Sequence, residues 1–70
     1  MEESTGTIQS IKNGGTSGAI LEDGSGASLE FINPSIPSVS VGEQFQFLKI
    51  IQNTPAGSKV INILKGKLPV

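Results

Sequence analysis

Few side chains in this 70-residue sequence could take part in chemistry. The chain carries five lysines and six acidic residues, and it contains no histidine, arginine, cysteine, tryptophan or tyrosine. A Ser-His-Asp or Cys-His catalytic arrangement is therefore impossible, and a metal could be held only by oxygen ligands. We expect a protein that is not an enzyme and that uses neither a metal nor a cofactor.

Three short patterns match known chemical motifs only in part. The stretch Gly14–Gly18 is as rich in glycine as a phosphate-binding loop, but it lacks the Lys-Ser/Thr ending and precedes a predicted strand. The pair Glu22-Asp23 followed by Ser25 has too few carboxylates for a calcium loop. Turns explain both patterns better. Glu22 and Glu30 could form a carboxylate pair across neighbouring strands, but the sequence indicates no second catalytic group beside them.

The charges are divided unevenly along the chain. All six acids lie in residues 1–43, where Lys12 alone opposes them, so this part carries a net charge of −5. Residues 44–70 contain four lysines and no acid, a net charge of +4. This division is typical either of an electrostatically polarised molecule or of a lysine-bearing solvent face on the last two strands, which is the simpler interpretation.

The pattern of apolar residues, glycines and prolines predicts an all-β domain. Ile, Val, Phe and Thr suit a pleated surface, glycines and prolines separate short runs, and no segment shows a sustained helical period. Five short runs suggest a closed or nearly closed barrel, either SH3-like or of the five-stranded OB type. The predicted strands span residues 6–12, 16–22, 27–33, 41–52 and 58–65, in a barrel domain over 6–65 with a flexible N-terminus at 1–5 and a tail at 66–70.

Two of these strands break the alternation that a regular strand would show. Ile8 and Ile11 are three residues apart, so either the first strand carries a bulge or one isoleucine is exposed. The run Leu48–Ile51 suggests a second bulge or a bend in the fourth strand. Elsewhere the alternation places Leu29 with Phe31, Phe45 with Phe47, and Ile61 with Ile63 on single strand faces.

The ordered series of these runs resembles the cold-shock domain family, which are OB-type barrels that bind single-stranded RNA and DNA. The family's Gly-x-Val-Lys-Trp-Phe strand corresponds to Gly6–Ile11, and its Lys-Gly-Phe-Gly-Phe-Ile strand corresponds to Gly15–Ile20. Its Val-Phe-Val-His-Phe, Gly-Gln-x-Val-x-Phe and Gly-Pro-x-Ala-x-Asn-Val segments correspond to Leu29–Asn33, Gly42–Phe47 and Gly57–Ile63. The resemblance covers residues 6–64 and implies a small five-stranded antiparallel barrel of the OB type, cold-shock-like.

The resemblance also implies where a ligand would bind. In the family, outward-facing aromatic side chains stack on bases, but this sequence has serine, alanine, glutamate, isoleucine or asparagine at those positions. Glu30 would place a carboxylate in the middle of this face, where it repels phosphate. The candidate ligand face consists of Ser10, Lys12, Ser17, Ala19, Glu30 and Ile32, and the candidate phosphate contacts are Lys12, Lys49 and Lys59.

The sequence is consistent with two functions, and each would make the protein a small non-catalytic binding module. The resemblance implies single-stranded nucleic acid as the ligand, bound weakly and in a salt-sensitive way because the stacking groups are absent. The alternative is a protein–protein interaction or regulatory module, since Ala19, Leu21 and Ile32 would form a small aliphatic surface on the outer face. Scattered exposed aliphatic side chains are nevertheless normal, and a homodimer along an edge strand is neither indicated nor excluded.

The ends of the sequence give one further expectation. The first five residues are acidic and polar, unlike a signal peptide, and no apolar run is long enough to cross a bilayer. The chain also has no cysteine. We therefore expect a cytoplasmic protein with no membrane association.

Overall fold

Five strands contain 44 of the 70 residues. The computed structural model describes residues 2–69, and over that range it contains no α-helix. A single 3-10 turn at Asn13–Gly15 joins the first two strands. The strands are β1 (Glu2–Lys12), β2 (Ser17–Glu22), β3 (Ser28–Ile32), β4 (Gln44–Thr54) and β5 (Gly57–Lys67).

The strands close into a barrel in the order β1-β2-β3-β5-β4. The prediction of an all-β five-stranded barrel is confirmed, and this order is consistent with an OB-like fold. The expectation of a wholly antiparallel sheet is corrected at one place, because β3 and β5 run parallel. They do so because β4 lies between them in the sequence and the chain reverses direction twice. The two strands are joined by one residue pair, Ile32 with Ile63.

The first strand carries a bulge, one of the two alternatives that the sequence left open. Its register against β2 shifts between Ile8 and Ser10. The extra residue lets Ile8 lie fully buried while Ile11 packs partly buried against the same core. The bulge is thus what brings two isoleucines at a spacing of three to one side of the strand.

The second irregularity does not lie where the sequence predicted it. The pairing of β4 with β5 is regular through Leu48–Ile51, and the register shifts instead between Gln46 and Phe47. The partner strand accommodates the shift, because Gln46 and Phe47 are opposite Gly66 and Leu64 and skip Lys65. The long apolar run in β4 therefore alternates normally, and its side chains lie on both faces of the strand.

Three phenylalanines fill the barrel. Phe31, Phe45 and Phe47 are all at most 2% exposed, and Ile8, Ile20 and Leu64 complete the buried cluster. Gly18 allows this packing, because a Cβ atom there would overlap the carbonyl oxygen of Ser10 and lie 2.9 Å from the Phe31 ring. The close approach of β1, β2 and the Phe31 ring thus requires a residue without a side chain at this position.

The strands extend further toward both ends of the chain than the sequence predicted. Residues 2–5, predicted as a flexible N-terminus, pair with β4 from Lys49 to Gln46. Residues 66–67, predicted as tail, belong to β5. Cross-strand ion pairs add to these backbone pairings, since Lys65 Nζ lies 2.7 Å from Glu3 Oε1. The outermost residues of the two predicted end segments, positions 1 and 70, lie outside the described residues.

The last hairpin extends beyond the body of the barrel. Within residues 2–69, the pairing of β4 with β1 reaches Lys49 with Glu2, whereas its pairing with β5 continues to Thr54 with Gly57. Residues 50–54 and 57–61 therefore form a two-stranded ribbon. On the side of this ribbon that continues the barrel interior, Ile51 and Val60 are opposite each other and are 66% and 55% exposed.

A substitution at Gly18 tests the close packing of the first three strands. We expect Gly18→Ala to destabilise the fold by about 1–3 kcal/mol or more, because the methyl group has no room against backbone and ring atoms. Gly66→Ala is the matched control, since a Cβ atom on that strand glycine would have no atom within 4 Å. The control should change stability by at most about 0.5 kcal/mol. Urea unfolding of both variants measures the difference, and equal effects would contradict the packing described here.

Candidate nucleic-acid or protein interface

The six residues of the predicted ligand face lie together on the outside of β1, β2 and β3. Ser10 is opposite Ala19, and Ala19 is in turn opposite Glu30. One step along the strands, a second row places Lys12 opposite Ser17 and Ser17 opposite Ile32. The structure therefore assembles all six side chains in two adjacent rows across three strands.

This ligand face has no aromatic side chain to stack on a base. All three phenylalanines of the chain are in the core. Ile32 is 48% exposed, and Glu30 and Lys12 are exposed at opposite ends of the two rows. Among residues 2–69, neither of these two charged groups takes part in an ion pair.

The three predicted phosphate-binding lysines are not in one place. Lys12 belongs to the ligand face, and Lys59 lies on β5 across a groove from it. Lys49 lies apart from both, beside two carboxylates. Its Nζ atom is 2.5 Å from Glu22 Oε2 and 3.7 Å from Glu2 Oε1. An ammonium group held by two carboxylates at the end of the barrel is poorly placed to bind phosphate.

Glu22 has more polar partners than the other acidic groups of the barrel. Its carboxylate accepts hydrogen bonds from Ser4 Oγ and Ser25 Oγ, both at 2.6 Å, in addition to its contact with Lys49. Lys49 and the two serines hold the pKa of Glu22 at about 2, and Glu22 in turn raises the pKa of Lys49. The sequence contained a signal for this position, since Glu22 continues the inward series of Gly18 and Ile20 along β2.

A groove of about 170 Å³ separates β3 from β5 where the two strands diverge. Glu30 and Ile32 lie on its β3 side, and Lys59 and Ile61 lie on its β5 side. Asn62 is buried beside it and donates from Nδ2 to the Glu30 carbonyl oxygen at 2.9 Å. Its Oδ1 atom has no hydrogen-bond partner within the described residues. No pattern in the sequence indicates this groove, which depends on the pairing of two distant strands.

Aliphatic side chains continue the outer surface on the far side of the groove. Because Phe47 and Leu64 face inward, the neighbouring residues on β4 and β5 face outward. The pairs are Leu48 with Ile63 and Ile50 with Ile61, and Ile63 is also the partner of Ile32 on β3. We refer to Ile32, Leu48, Ile50, Ile61 and Ile63 as the aliphatic stripe.

Comparisons with models of protein families, with curated proteins and with solved structures gave no match for this chain. Two kinds of feature are absent from residues 2–69. No three His, Cys, Asp or Glu side chains there are grouped so that they could hold a metal ion. No helix in the same range is long and apolar enough to cross a membrane.

The ionised Glu22 should make the stability of the barrel depend on pH in the acid range. Folding lowers the pKa of this group from 4.5 to about 2, so its stabilising effect is present above pH 4.5 and is lost as the pH falls toward 2. The urea midpoint of the native chain should therefore fall over this interval, and that of Glu22→Gln should fall less. Glu30→Gln is the matched control, since it makes the same chemical change at an exposed side chain of the outer face. An unchanged pH dependence in Glu22→Gln would contradict this role.

Proposed function

We propose that this protein is a non-catalytic, OB-like binding module whose outer face binds protein. The observation that carries the proposal is the composition of that face. It combines the predicted ligand face with the aliphatic stripe, and it presents small and aliphatic side chains rather than aromatic ones. Fully buried parts of protein interfaces are depleted in charge and enriched in apolar area, which fits this surface.

The same surface is a poor platform for bases. Stacking on aromatic side chains contributes about 1–3 kcal/mol per base in single-strand binding, and all three phenylalanines are buried in the core. Glu30 adds a negative charge in the middle of the face, which opposes phosphate. Three of the five lysines, Lys49, Lys65 and Lys67, are in ion pairs with acids of the same chain.

Weak binding of single-stranded RNA or DNA is the second candidate function. It is favoured by the resemblance to cold-shock domains and by the ammonium groups of Lys12 and Lys59, which flank the face without ion-pair partners among the described residues. Two lysines without stacking groups give an electrostatic association that fades as salt is added. The two candidates therefore differ in what they predict at low ionic strength.

A backbone amide NMR titration with mixed single-stranded oligonucleotides at low salt distinguishes the two candidates. The proposal predicts no clustered shifts at near-millimolar oligonucleotide. Salt-sensitive shifts confined to residues 9–12, 17–21 and 29–33 would contradict it and would establish the second candidate. Glu30→Lys serves as the matched variant, because removing the carboxylate should improve any nucleic-acid affinity. A gain in oligonucleotide shifts with this variant would show that the face is merely blocked by one charge.

A further inference from the structure

The ligand face and the aliphatic stripe form one continuous surface. The pairing of Ile32 with Ile63 joins them, so that the outer sides of β3, β5 and β4 follow one another around the barrel. Ile32 is 48% exposed, and its neighbours on the stripe are partly exposed. Directly opposed side chains in a sheet lie about 5 Å apart, so the stripe is a contiguous apolar patch.

The two charged side chains that line the groove have opposite signs. Glu30 projects from the β3 side and Lys59 from the β5 side, and among residues 2–69 neither is in an ion pair. By contrast, the lysines at positions 49, 65 and 67 each contact a carboxylate of the same chain. The groove, whose lining is partly aliphatic and partly polar, therefore has a positive group on one side and a negative group on the other.

We propose that a second copy of this chain binds this surface and that the protein forms a two-fold symmetric dimer. The proposal rests on the proposed function, because it names the partner of the same face. In a two-fold symmetric interface, a contact between one residue of the first copy and a different residue of the second copy occurs twice, with the roles of the two copies exchanged. A surface with charges of opposite sign on the two sides of a groove, beside an aliphatic stripe, is complementary to itself in this way.

The register of the strands fits such an arrangement. A two-fold axis lying along the groove, in the plane of the contact, places the β3 side of one copy against the β5 side of the other. Ile32 is level with Ile63, so Glu30 is offset from Lys59 by about two residues, or roughly 7 Å along the strands. The flexible four-carbon stem of lysine spans this offset. Each Glu30 can therefore reach the second copy's Lys59 while the isoleucines of the two copies pack together.

The area required is compatible with the size of the molecule. The chain exposes 4480 Å² in total, and a stable interface covers about 800 Å² on each partner. A dimer would therefore cover roughly a sixth of the surface of each copy. Small domains bury a smaller fraction of their surface on folding than large domains do, so association of two copies also adds buried apolar area that one copy lacks.

Sedimentation equilibrium of the full chain tests the proposal. We expect the native chain to be dimeric at near-millimolar concentration and Ile61→Lys to be monomeric, because the substitution places a charge in the apolar patch. Val41→Lys is the matched control, since Val41 is 62% exposed in the segment before β4 and outside the stripe. It should remain dimeric. A monomeric native chain would overturn the proposal, as would a Val41→Lys variant that dissociates equally.

Charge exchange tests the proposed contact itself. Glu30→Lys and Lys59→Glu should each weaken the dimer at least about tenfold through like-charge contacts, and the double variant should regain most of the affinity. A double variant as weak as the single ones would overturn the proposed contact. Amide NMR spectra verify that each variant is folded. These outcomes are distinct from failure of the proposed function, since oligonucleotide binding at the face is measured separately on the native chain.

Discussion

The packing of three phenylalanines inside one small barrel is the constraint on which the rest of this structure depends. A 70-residue domain has little interior, and here Phe31, Phe45 and Phe47 supply its largest side chains. The bulge in β1 and the absence of a side chain at Gly18 bring the surrounding strands close to them. These are the only aromatic residues in the chain. Because all three are buried in the core, no aromatic ring is left on the surface to stack on a base.

Ion pairs link different parts of the barrel, whereas the charged side chains beside the groove on the outer face are in no ion pair among residues 2–69. Acids in the first part of the sequence form ion pairs with lysines near its end, as in Lys49 with Glu22 and Lys65 with Glu3. The partners of each pair lie on strands that are not direct neighbours, since β1 separates β2 from β4 and β4 separates β1 from β5. These ion pairs place charges from the two parts of the sequence side by side in the folded chain. Glu30 and Lys59 differ from these pairs because they lie at the groove and are in no ion pair among residues 2–69.

Local patterns were sufficient to predict the fold class but not the surface. Alternation predicted that Phe45 and Phe47 share one strand face, and the spacing of Ile8 and Ile11 indicated either a bulge or an exposed isoleucine. The prediction of a bulge or bend at Leu48–Ile51 was wrong. The strand is regular there, and Lys49 faces inward because it pairs with Glu22, which lies far away in the sequence. The aliphatic stripe and the groove likewise depend on β5 lying beside β3, a parallel pairing set by the closure of the whole barrel. Such contacts have no signature within any short segment.

We propose that the outer face binds a second copy of the same chain. An isotope-filtered NOE experiment on a mixture of ¹³C-labelled and unlabelled chains measures this contact directly. We expect cross-peaks between methyl groups of Ile32 in one molecule and of Ile61 or Ile63 in another. Cross-peaks confined to Ile51 and Val60, on the other side of the last hairpin, would contradict this contact, as would the absence of any intermolecular cross-peak at near-millimolar concentration.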